Sequence, residues 1–280
     1  MPSQSVSCDG VALGENGEMF TLVVYTDGEG YNSFVFREPD ASDAEVESIA
    51  YLDLQIWLTD LWRDDNGVLF AADEDGKVHV RDNGGWQVES TTSARALTCL
   101  WGRSGRVFAA GDASLVFERQ GSAWPAISPE LGQTIFGLGG TGPDDLYACG
   151  DRGLLAHFDG REWTTIALPT NRRLTGVLAI GDADVLVCGT AGVLFRGSGE
   201  TWRALDPAPS DLHSMVLFRD RIFLAASRSG VLELADDQYV PVRDTFVSYK
   251  LAANARYLAS AGDISAVRSD LIDWDGIDYQ

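Results

Sequence analysis

Three histidines, four cysteines and one acidic turn are the side chains whose types could support metal or nucleophilic chemistry. His79 and His157 sit at matching places in two repeated units, and His213 stands apart from both. Two imidazoles could share a metal, but units that are not neighbours in a ring hold equivalent positions far apart, so satisfied strand histidines are expected. Cys8, Cys99, Cys149 and Cys188 form no CxxC pair, and none has a histidine at metal-ligand spacing. Free, buried thiols in a reducing compartment are the expectation. Asp73-Glu-Asp75-Gly76 has the acidic start of a calcium loop, yet it lacks the alternating ligands and the closing glutamate. No Ser-His-Asp order, glycine-rich phosphate loop or zinc-helix motif is found. The chain reads as a non-enzyme without cofactor or metal.

The elements that would position these groups follow from an internal repeat. Trp86, Trp124, Trp163 and Trp202 are spaced by 38, 39 and 39 residues, and Tyr239 and Trp274 continue at 37 and 35. Apolar segments starting at Leu58, Leu97, Ile135, Leu174, Leu212 and Val247 keep the same period. Two ladders of one period mark a repeat architecture. In residues 135–168 each unit resolves into four short apolar runs: Ile135–Leu138, Leu146–Gly150, Leu154–Phe158 and Glu162–Ile166. They are divided by Gly-Pro-Asp-Asp, Asp-Arg-Gly and Asp-Gly turns. Helical spacing is absent.

Four antiparallel strands per ~40 residues form a propeller blade, which buries both faces only by stacking radially on neighbours. The outer aromatic would fill the wide part of the wedge between blades. Segments such as Phe70-Ala-Ala, Phe108-Ala-Ala-Gly and Tyr147-Ala-Cys-Gly would fit the crowded inner part. The fold class is therefore all-β, a single seven-bladed propeller with blades near 1–57, 58–96, 97–134, 135–173, 174–211, 212–246 and 247–280. The first blade would use Ser7–Leu13, Met19–Tyr25, Tyr31–Arg37 and Val46–Leu52, with an insertion between the last two. A six-bladed ring with an accessory N-terminal hairpin is the alternative.

The segment from Leu138-Gly-Gly-Thr-Gly-Pro-Asp-Asp-Leu-Tyr-Ala-Cys-Gly-Asp-Arg-Gly through Asp159-Gly160 to Trp163 resembles the repeat of bacterial sialidase-like (BNR-type) propellers, which include the photosystem assembly factors. The resemblance covers residues 58–240 and implies a propeller, a fold that hosts enzymes, scaffolds and receptors alike. The Asp-box of true sialidases is not matched: Ser198-Gly-Glu-Thr-Trp202 lacks its aspartate. Arginines hold no repeated position that would clamp a carboxylate.

Charge carries the functional expectation. The chain has 42 acids and 21 bases, a net −21, which disfavours nucleic acid and anionic membranes. Residues 1–60 hold twelve acids and one base, Arg37, and the last eleven residues add Asp270, Asp273, Asp275 and Asp278. A closed ring would bring first and last blades together and pool this charge on one sector. Asp27, Glu29, Asp40, Asp43, Glu45, Glu47, Asp73, Glu74, Asp75, Asp270, Asp273 and Asp275 are the candidate partner-binding residues. Such a sector would steer a basic protein. The expectation is a monomeric, cytoplasmic binding module, with no secretory signal in its first residues and no apolar run of membrane-spanning length. Its most concrete form is a bacterial immunity protein that neutralises a basic toxin domain. An assembly or chaperone scaffold is one alternative. A carbohydrate-active hydrolase or lyase with acids and arginines converging on an axial pocket is another.

Overall fold

A computed structural model describes residues 5–15, 17–39, 47–128 and 132–279. Seven sheets follow one another along the chain at 5–54, 58–90, 97–118, 135–165, 174–204, 214–243 and 250–278, each antiparallel with its strands in sequence order. Six are four-stranded. In blade 3 the described sheet has three strands, and the fourth place is taken by residues around Trp124, which make only isolated bridges to Thr91, Phe117 and Gln120. Pro125 follows at once and cannot donate to a ladder, which limits pairing there. The strands of blade 1 are Ser5–Leu13, Met19–Thr26, Tyr31–Glu38 and Ile49–Leu54. They match the expected hairpins except that the last begins three residues later than expected.

The innermost strands are Ser5–Leu13, Leu58–Arg63, Leu97–Arg103, Ile135–Gly142, Leu174–Gly181, Ser214–Phe218 and Lys250–Ala253. They surround the ring axis and run the same way along it. Backbones approach closely here, which explains the glycine closing the second strand of several blades. A Cβ on Gly111, Gly150 or Gly189 would lie 2.0–2.1 Å from the carbonyl oxygen of Ala96, Thr134 or Arg173. The next residue's N–H, in Asp112, Asp151 and Thr190, donates to that same carbonyl at 2.9–3.0 Å.

Seven apolar clusters hold the ring, one between each pair of neighbouring blades. The outer-strand aromatics reach back to the preceding blade, as the ladder predicts. Trp86 Nε1 donates to the Tyr51 carbonyl at 2.7 Å, Trp163 Nε1 to that of Ile127 at 2.9 Å, and the Tyr239 hydroxyl to that of Asp206 at 2.7 Å. Trp124 is buried and donates to Glu89 Oε2 at 2.8 Å.

The ring closes between blades 7 and 1, bringing the two ends of the chain together. Among the described residues, no strand of one end completes the sheet of the other. The seam is joined by Cys8 N–H on the Asp263 carbonyl (2.6 Å), Asn254 Nδ2 on the Gly14 carbonyl (2.9 Å) and Arg268 on the Gly17 carbonyl. Near the C-terminal end, Tyr279 stacks on Phe36 with ring centroids 5.3 Å apart, and its hydroxyl donates to buried Glu38.

Candidate protein-interaction face

Because each blade is a meander of strands, its turns divide between two faces. The innermost strand begins on one face, called upper here. The turn between second and third strands and the linker from the preceding blade share that face. The other two turns lie on the opposite, lower face.

The candidate acidic residues divide accordingly. Asp27 and Glu29 of blade 1 and Asp73, Glu74 and Asp75 of blade 2 lie in adjacent turns of the upper face. Asp270 and Asp273 occupy the third turn of blade 7, on the lower face, and Asp275 follows in its outer strand, where Arg268 Nη2 approaches at 3.4 Å. Exposed Glu47 precedes the outer strand of blade 1, which starts from the lower side. Asp40, Asp43 and Glu45 lie outside the described residues. The fold thus brings five of the twelve to one face, four of them accessible there, and puts the blade 7 turn on the other side of the disc.

Several of these carboxylates serve the fold itself. Asp73 is 0% exposed. It accepts the N–H groups of Asp75 (2.9 Å) and Lys77 (2.8 Å) and pairs with His79 Nε2 at 2.9 Å. His157 is likewise paired, with Asp145 at 2.6 Å. Asp270 caps its own turn through the N–H groups of Ile272 (2.9 Å) and Asp273 (3.0 Å). Asp27 does the same for Glu29 (2.9 Å) and Gly30 (3.2 Å), and these backbone donors hold its carboxyl below the usual carboxylate range. Glu18 is paired with Arg37.

Beside the upper acidic turns stands an aromatic pair outside the tryptophan ladder. Tyr31 and Trp57 stack with centroids 5.1 Å apart and an interplanar angle of 19°, yet they are 39% and 37% exposed. Trp57 belongs to the linker between blades 1 and 2. Its backbone N–H donates to Glu74 Oε1 at 3.1 Å, its carbonyl accepts the Glu74 N–H at 3.2 Å, and its indole N–H points to Asp9 Oδ2 at 3.5 Å. A depression of about 410 Å³ adjoins the pair, lined by Tyr25, Asp27, Glu29, Tyr31 and Gln55 among others. Tyr31 and Trp57 were missed by counting charge, and Asp9, one of the twelve acids of residues 1–60, was not among the candidates. The signal was there in Trp57, a tryptophan off the 35–39-residue ladder and flanked by Asp53 and Asp60.

The ring axis opens nearby. A cavity of about 480 Å³ is lined by the innermost strands. Across it Lys250 of blade 7 pairs with Asp60 Oδ1 of blade 2 at 2.9 Å, and Asp60 Oδ2 accepts the Leu100 N–H at 2.9 Å. Burial disfavours the Lys250 ammonium, but Asp60 more than offsets this, and the group stays protonated. Burial raises the Asp9 carboxyl, against hydrogen bonds from Ser7 and Trp57. It also pushes the Cys99 and Cys188 thiols up to about 12, which keeps them protonated near neutral pH. His213 is pushed down by burial and stays neutral. Asp60, the one carboxylate on the described axial lining, is fully engaged. Among the described residues no cluster of three or more histidine, cysteine or carboxylate side chains has metal-binding geometry.

No protein-family model matches the chain, and no curated protein matches its sequence. Among solved structures it is similar to the WD40 β-propeller domain of Doa1, with a TM-score of 0.77 over 96% of this chain and 95% of that one at 8% identity. It is similar to YCF48 bound to D1 peptide, with a TM-score of 0.68 over 94% and 93% at 14% identity. YCF48 from Cyanidioschyzon merolae gives 0.56 over 81% and 94%, also at 14% identity. These likenesses establish a seven-bladed β-propeller. They support the sialidase-type resemblance of the repeat only as far as that architecture.

Proposed function

We propose that this propeller is a non-enzymatic binding module that docks a basic protein on its upper face at blades 1 and 2. The observation that carries the reading is the exposed Tyr31–Trp57 stack beside Asp27, Glu29, Glu74 and Asp75. Carboxylates attract a cationic partner and speed its encounter, while exposed aromatics supply contact area. The adjoining seam of blades 7 and 1 adds Asp9 and Asp263 to the same face. Glu47, Asp270, Asp273 and Asp275 widen the negative flank on the lower side. A peptide-bound propeller among the structural neighbours is in keeping with this reading.

Within that class, neutralisation of a basic toxin domain and assembly of a protein complex both use such a face. The free cysteines fit a reducing, cytoplasmic setting. Co-purification at low and high salt tests the reading. The expected result is a basic protein that is captured at low salt and released at about 0.5 M, where the Debye length falls below ~5 Å. The charge-neutralised D27N/E29Q/D75N variant should lose that capture. Salt-insensitive capture that survives this variant would refute the proposed face. Toxicity of the captured protein in cells lacking the propeller separates neutralisation from assembly.

A further inference from the structure

Inside the molecule, arginine is repeatedly seated between an aromatic ring and a carboxylate. Arg106 lies over Phe108 (5.5 Å to the centroid) and bonds Glu118 (2.5 Å) and Asp144 (2.7 Å). Arg119 lies over Phe70 (5.3 Å) and makes two bonds to Glu89 (2.9 and 2.6 Å). Arg221 lies over Phe223 (5.2 Å) and makes two bonds to Glu233, one of them at 2.7 Å. Every described cation stacked on a ring is an arginine. The physical reason is that a guanidinium is flat, so it can lie on a ring while its N–H fork faces a carboxylate, which an ammonium cannot do.

The depression beside Tyr31 has the same two parts without the third. Tyr31, Asp27 and Glu29 line it, and Trp57 backs Tyr31. Asp27 spends Oδ1 on its turn and leaves Oδ2 unspent. Among the described residues, no arginine or lysine stacks on either ring or pairs with either carboxylate. Resting on the docking face above, we propose that this depression is an arginine seat: a guanidinium from the partner lies against the Tyr31–Trp57 pair and pairs with Asp27 and Glu29. The site therefore selects arginine over lysine.

The test uses the full chain and two peptides of equal length and charge, one bearing arginines and the other lysines, titrated by calorimetry at low salt. The arginine peptide should bind about tenfold more tightly. Y31A and W57A should each reduce that preference to about twofold or less and leave the lysine peptide nearly unaffected. Both residues are exposed, and an unchanged thermal midpoint for W57F and Y31L, which fill the space without the same ring pair, keeps misfolding separate from loss of the seat. Equal affinity for the two peptides, or an arginine preference that survives both ring variants, would overturn the seat. If both peptides bind equally and D27N/E29Q/D75N abolishes binding, the docking face stands and the seat falls. If neither peptide binds, both fall.

Discussion

At the scale of single residues, the acidic composition has two separate meanings. Some carboxylates are structural fixtures. Glu89, 5% exposed, receives Arg119 through two bonds and the indole of buried Trp124. Removing one partner of such a buried set leaves the other polar groups without compensation. E89A should therefore cost about 3–5 kcal/mol in chemical denaturation, because Arg119 and the Trp124 indole both lose their acceptor. E89Q, which keeps an acceptor for the indole, should cost less, about 1–3 kcal/mol. Asp73 belongs to this group as well, although its Asp-Glu-Asp-Gly setting looks like a surface turn in the sequence. The turn is on the surface, but its first carboxylate folds inward to hold two backbone donors and His79. Other carboxylates are exposed: Glu29 is available to a partner, whereas Asp75 is exposed but already paired with Lys77 Nζ at 3.1 Å. Composition cannot sort one kind from the other, because both arise from the same residue types in the same turns.

At the scale of elements, the seam between the first and last blades is the distinctive feature. Ring closure without strand exchange places unusual weight on side chains, and Tyr279 with Glu38 is the most buried polar pair there. Burial pushes the Glu38 carboxyl up from its ordinary 4.5 to about 7, against the Tyr279 hydroxyl bond. Between those two pH values the folded chain holds a proton that the unfolded chain has released. Stability from this group is thus fully present below about pH 4.5, declines as pH rises through about 7, and levels off above. The span corresponds to roughly 3 kcal/mol at ~1.4 kcal/mol per pH unit. E38Q keeps the shape without the charge. The difference in unfolding free energy between E38Q and the parent chain should grow from pH 5 to pH 8 by about that amount, measured by denaturant titration. A constant difference across that range would show that Glu38 does not titrate at the seam.

The blade pattern itself was legible in the sequence to within a few residues, because strand length, turn chemistry and the outer aromatic are local properties. Three features were not. The fourth strand of blade 3 is reduced to bridges, since Pro125 directly after Trp124 removes a ladder donor. The outer strand of blade 1 starts at Ile49, past the insertion whose conformation no periodicity constrains. The glycine that ends the second strand was expected in the crowded inner part, but its contact was not legible: at 111, 150 and 189 it lets a carbonyl of the preceding linker come close.

At the scale of the whole molecule, one ion pair reaches past a blade instead of joining neighbours. Lys250 and Asp60 join blades 7 and 2 past blade 1, and Asp60 also holds the Leu100 N–H of blade 3. Replacing Lys250 by methionine leaves Asp60, 8% exposed at its side chain, without its cation. The partial exposure of Lys250 tempers the cost, so K250M should lose about 2–3 kcal/mol and D60N/K250M should recover part of it, read as midpoint shifts in thermal unfolding. Full additivity of the two substitutions would show that the pair is not coupled.

The sequence by itself determined the repeat, the order of the blades and the excess of acid near both chain ends, because each depends on local periodicity or on counting; it left six blades open beside seven, and the seven sheets of the folded chain decided the number. Only the tertiary structure decided which acids share a surface. Alternate turns of a meander point to opposite faces, so Asp27, Glu29 and Asp75 come together with Tyr31 and Trp57 while Asp270 and Asp273 lie across the disc. It also decided which carboxylates are already spent, because burial and pairing are set by neighbours from other blades.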